Sequence, residues 1–114
     1  LERLARETVA VWPGSSVSFE VRESYRNPRE TLEKFPAIVD NAREAIRRVG
    51  LEPGEMAIRG GTDGSLLTAM GLPTPNLFSG QHNFHSRLEW ITAQDLERSV
   101  AMVVELLRVW DERG

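Results

Sequence analysis

The chain has 114 residues, 40% hydrophobic and 27% charged, with a formal net charge of −3. That is one small domain's worth of sequence, enough to bury a core but less completely than a larger chain would. The mild acidity, with basic residues scattered and "IRR" at 46–48 as the densest cluster, argues against nucleic acid as a partner, because phosphate binding needs a basic patch.

No apolar run approaches the length of a membrane span and the start carries no signal-peptide pattern, so no membrane partner is expected. There is no cysteine, which fits a reducing, cytoplasmic setting and rules out a disulfide framework or a thiolate metal site. The chain starts at Leu1 inside a helical pattern, which reads as a piece of something longer.

Residues 1–11 are predicted helical, with Leu1, Leu4, Ala5, Thr8 and Val11 on one side. "WPGSS" stops that helix. Residues 16–25 then alternate Val17, Phe19 and Val21 against Ser18, Glu20 and Arg22, the pattern of a half-buried strand. "YRNPRE" reads as a turn. A second helix is expected from Pro36 to Val49, where proline suits the first helical position and Ile38, Ala42, Ala45, Ile46 and Val49 make the apolar stripe. Gly50 is placed to cap it. A short strand at 55–59 leads into "GGTDG", and a short helix, Ser65–Met70, stops at Gly71. "PTPNLFSG" reads as a strand feeding a loop at 79–90. The last helix, Ala93–Asp111, has Thr92 as N-cap and Asp95 three residues on. Leu96, Val100, Val103, Val104 and Leu107 are its expected buried face. The alternation of helices and strands from residue 36 predicts an α/β layer with a mostly parallel sheet.

Two loops, each after a predicted strand, could carry chemistry. In "RGGTDG", Arg59–Gly64, Gly60 and Gly61 let the backbone approach a ligand, the consecutive N–H groups could form an anion nest, and Arg59 could offer a fork of donors to a carboxylate. The same residues also suit a plain strand-to-helix turn with Asp63 as N-cap. The segment lacks the lysine of a P-loop. The second loop, "SGQHNFHSRLEW", holds both histidines of the chain, His82 and His85. They read either as metal or catalytic residues or as polar loop residues. Glu89 could orient His85 from behind. Trp12, Trp90 and Trp110 are too dispersed for a stacking platform and read as core or rim packing.

"YRN", "REAIRRVG", "IRGGTDG", "GLPTPNLF" and "NFHSRLEW" occur in the order in which they stand near the C-terminus of the peptidase T family. The chain therefore resembles the C-terminal portion of these bacterial tripeptide aminopeptidases. They are zinc-dependent exopeptidases with a two-zinc catalytic domain and an inserted lid domain. The resemblance implies that residues 1–27 are the last α–β unit of the lid and 28–114 the C-terminal segment of the α/β catalytic domain. It implies that His85 is a zinc ligand, that Arg59 holds the tripeptide substrate, and that Gly60 and Gly61 belong to the cleft wall. Asn83 would stand beside the ligand in the substrate site. His82 matches no ligand position. The lid is a candidate surface for a homodimer. The family's other ligands (a His-x-Asp motif, a bridging aspartate and a further aspartate, and a paired glutamate that includes the general base) are not in this sequence. No catalytic residue is assigned here, and the chain alone is expected to be inactive. The alternative is a non-enzymatic module that binds an anion at the RGGTDG turn or self-associates.

Overall fold

The computed structural model describes residues 1–113. Five helices follow in chain order: α1 (Glu2–Ala10), α2 (Arg29–Leu32), α3 (Pro36–Arg48), α4 (Asp63–Ala69) and α5 (Ala93–Arg113). Local chemistry sets most of their ends. Pro36 opens α3. Past its last turn, Leu51 N–H returns to the Ile46 carbonyl at 3.2 Å while Gly50 takes φ 77°, a left-handed cap that uses up a free carbonyl. α4 closes in the same way, with Leu72 N–H on the Leu67 carbonyl at 2.9 Å. At the start of α5 the Thr92 hydroxyl accepts from Asp95 N–H at 3.0 Å and donates to the Asp95 carboxylate at 2.7 Å. The single turn of α2 falls where the sequence predicts only a turn. There the Asn27 side chain accepts from Arg29 N–H at 3.0 Å and so nucleates one helical turn.

The core lies between α3 and α5. Ala45, Met102 and Val109 are buried, with Ile46, Val49 and Leu106 packed around them. Burying side chains the size of Met102 and Val109 stabilises the pair by about 1.5–3 kcal/mol each. The Arg48 guanidinium straddles the Glu112 carboxylate at 2.8 and 2.5 Å, with Glu44 at 3.4 Å and Glu105 at 3.7 Å. That pairing raises the Arg48 pKa and holds the Glu112 carboxyl below its ordinary value. Arg113 also donates to buried Asn41 at 2.7 Å.

Two expectations are not met among the described residues. First, the stripe predicted to be buried on α5 is the open one: Leu96, Val100, Val103, Val104 and Leu107 are exposed, whereas Met102 and Val109 meet α3. The helix is apolar on two faces, and α3 covers one of them. Second, the predicted strands at 16–25, 55–59 and 73–80 form no sheet among the described residues, where the one ladder contact is an isolated antiparallel bridge between His82 and Trp90. A strand without a neighbour has no partner for its backbone donors and acceptors, and it buries neither face. Accordingly Val21 is 80% and Met56 80% exposed. α1 likewise has no buried residue. The radius of gyration is 20.3 Å, against about 13 Å for a compact domain of this length. The shape is elongated because one helix pair carries nearly all the packing.

Candidate functional site

The Arg59–Gly64 turn leads into α4. Thr62, not Asp63, is the N-cap: its hydroxyl accepts from Ser65 N–H at 3.2 Å, and Asp63 is the first helical residue. The expected cap is thus displaced by one position, and Asp63 instead sets a negative charge against the positive end of the short helix. Gly60 has φ 107°, a region that side chains with a Cβ avoid. At Gly61 the reason is contact: an added methyl would coincide with the ring of Tyr25, which lies on the Gly61 backbone. The start of α4 is packed from the other side as well. A Cβ at Gly64 would come within 2.8 Å of the Thr74 carbonyl, and Thr74 N–H donates to the Thr68 hydroxyl at 2.9 Å.

Arg59 projects from this turn into solvent. Most arginines of the chain are engaged by a carboxylate, as are Arg3, Arg6, Arg22, Arg26, Arg29, Arg43, Arg47, Arg48, Arg98 and Arg108. Arg59 has no such partner among the described residues. Its donors are available to an acceptor from outside.

The His85 loop is organised differently. Residues 81–90 are all exposed, and the loop is closed by its own bonds. His82 N–H donates to the Trp90 carbonyl at 2.9 Å and Trp90 N–H returns to the His82 carbonyl at 3.2 Å. The His82 and Trp90 rings stack with centroids 4.2 Å apart and planes 13° from parallel. Trp90 is therefore neither core nor isolated. Inside the loop, Asn83 (φ 56°) and His85 (φ 62°) both sit in the left-handed region, which few non-glycine residues adopt, asparagine and histidine more readily than most. The Asn83 amide donates to the Leu88 carbonyl at 3.2 Å. Glu89 accepts from the backbone N–H of His85 at 3.3 Å and from the Gln81 amide at 3.2 Å. It fixes the main chain under His85 rather than the imidazole, so the expectation that it orients the ring gives way to a backbone contact. The imidazole itself faces solvent without a hydrogen-bond partner among the described residues.

No hydrogen bond or ion pair among the described residues joins the Arg59 turn to the His85 loop. No group of three or more His, Cys, Asp or Glu side chains that could hold a metal ion occurs among them either. A catalytic zinc keeps three protein ligands, more than the described residues bring together. Tyr25 and Trp90 make contacts at the two candidate loops that the sequence reading missed. Their partners lie 36 and 8 positions away, and no periodicity links them.

No helix among the described residues is long and apolar enough to cross a membrane. The sequence profile of peptidase family M20/M25/M40 matches residues 3–109. Proteins named Peptidase T are similar along the chain. One from Caldanaerobacter subterraneus subsp. tengcongensis is 46% identical over 87% of this chain and 24% of its own length. Those from Bacillus velezensis and Geobacillus kaustophilus are 41% and 39% identical over 100% of this chain and 28% of their own. The chain thus spans about a quarter of the length of the relatives it matches. With the match covering nearly its whole length, the chain belongs to peptidase family M20/M25/M40.

Proposed function

We propose that this chain is part of a zinc-dependent tripeptide aminopeptidase, in which it supplies His85 as a metal ligand and Arg59 as a substrate anchor. The observation that carries the reading is the His85 loop. A histidine is held in an uncommon backbone conformation, its main-chain N–H is tied to Glu89, and its ring is left free in solvent. Non-glycine residues held in that backbone region cluster at functional sites. Membership in a peptidase family and the name Peptidase T borne by the relatives support the reading.

In the whole protein, residues 28–114 would complete an α/β catalytic domain, and 1–27 would be the end of a lid, the candidate surface for a homodimer. The segments that run unpaired here would enter a mostly parallel sheet. The open face of α5 would then lie against it. Two zinc ions per active site would be completed by ligands from outside this chain, and the general base would come from there too. Arg59 would pair with the carboxylate or a carbonyl of the tripeptide, with Gly60, Gly61 and Asn83 beside it, in a cytoplasmic enzyme. This chain alone would be inactive. A non-enzymatic reading, in which the RGGTDG turn binds an anion or the chain self-associates, uses the same free Arg59 but gives the His85 loop nothing to do.

Calorimetric titration of zinc into the 114-residue chain tests the division of ligands. The expected result is weak binding, since no set of three ligands is gathered around His85 among the described residues. Nanomolar affinity would mean that a full set of ligands is local, and the proposed division would be wrong.

A further inference from the structure

We propose that His82 is a positioning residue: its ring, stacked on Trp90, clamps the neck of the loop and thereby fixes where His85 stands. The inference rests on the reading of His85 given above and adds a role for the second histidine, which matches no ligand position. The loop from 81 to 90 is wholly exposed, so no core packing holds it in shape. Its two left-handed residues, Asn83 and His85, tend to relax toward commoner conformations. What opposes that is the closure at the neck. There, two reciprocal backbone hydrogen bonds of 2.9 and 3.2 Å stand under a ring pair at 4.2 Å and 13°.

Hydrogen bonds open to water are individually weak, and an aromatic lid over them shields one side. The stack also joins the two ends of the loop directly, so it resists the splaying that would let His85 turn. The His82 nitrogens have no partner among the described residues, so the contact is made by the face of the ring. A flat aromatic ring without nitrogens should therefore do the same work, whereas a ligand or proton carrier could not be replaced in that way.

The test compares His82→Ala, His82→Phe and Trp90→Ala in the full-length protein, with two readouts. The first is hydrogen–deuterium exchange of the peptide covering residues 81–90. The second is tripeptide turnover, with kcat and KM separated. Exchange in His82→Ala and Trp90→Ala should rise by roughly two- to tenfold, the range that an aromatic pair sustains. The kcat should fall by a similar factor while KM changes little, and His82→Phe should restore both. Unchanged exchange in His82→Ala would overturn the clamp. So would a His82→Phe protein that exchanges or turns over as poorly as His82→Ala, because the nitrogens would then be what matters. The exchange readout needs no metal and no activity. If His85→Ala proves harmless, the ligand assignment fails while the clamp is still judged on exchange.

Discussion

The two candidate loops are held in opposite ways. The His85 loop closes on itself: its bridge, its ring stack and the Glu89 bonds all lie between residues 81 and 90. The Arg59 turn depends on distant parts of the chain, with Tyr25 laid on Gly61 and Thr74 packed against Gly64. A self-closed loop carries its geometry wherever the chain goes. A turn braced from outside takes its geometry from whatever positions the braces. By this contrast the loop proposed to bind metal would be preformed, and the turn proposed to bind substrate would be adjustable through the segment that leads in from residues 1–27.

The contrast can be broken most forcefully at His85. In the full-length protein His85→Ala should lower turnover by more than about a hundredfold, beyond the ten- to hundredfold typical of losing a residue behind a ligand. It should also remove one metal per subunit by elemental analysis. Retention of both metals would show that the preformed loop serves another purpose. Next in size is Arg59→Lys. Loss of a charge-assisted hydrogen bond costs on the order of 1.5–3 kcal/mol, which corresponds to roughly ten- to two-hundredfold in kcat/KM. A lysine keeps the charge but not the fork. The loss should shrink for a tripeptide amidated at its C-terminus if the carboxylate is the partner. Normal kinetics with an earlier thermal transition would instead make Arg59 a brace of its own turn.

The smallest effect sharpens the contrast rather than breaking it. Gly61→Ala puts a methyl group where the Tyr25 ring lies, and overpacking of this kind costs about 1–3 kcal/mol. In denaturant unfolding, Gly61→Ala should destabilise the protein by that amount, and adding Tyr25→Ala should cancel most of the loss. Additive losses would show that the ring and the turn are not coupled.

What the sequence made legible followed from how locally each feature is encoded. α3, α4 and α5 end on residues whose preference is written nearby, namely Pro36, Gly50, Gly71 and Thr92, and their positions came out within a few residues. The mistaken cap at Asp63 shows the limit, because Thr62 and Asp63 are both good caps and only the backbone decides between them. The buried face of α5 was misread because residues 100–110 are apolar most of the way round. Which side α3 takes is a tertiary fact. The strands were out of reach for a stronger reason: alternation in 16–25 states what a strand would do if paired, and the pairing partner is not written in that stretch. Arg59 and His85 are candidates through motif resemblance alone, whereas the contacts of Tyr25 with Gly61 and of Trp90 with His82 are hidden by the linear order.

The open strip along α5, where Val100 is 57% and Leu107 68% exposed, also bears on how the 114-residue chain behaves in a tube. Apolar surface of this kind lowers the concentration at which copies of a chain associate. Ammonium sulfate lowers that concentration, because excluded salts favour burial of apolar surface, and chilling raises it, because apolar association weakens in the cold. Low salt and a cold room keep such a polypeptide in solution, contrary to the habit of salting a preparation to quiet its charges.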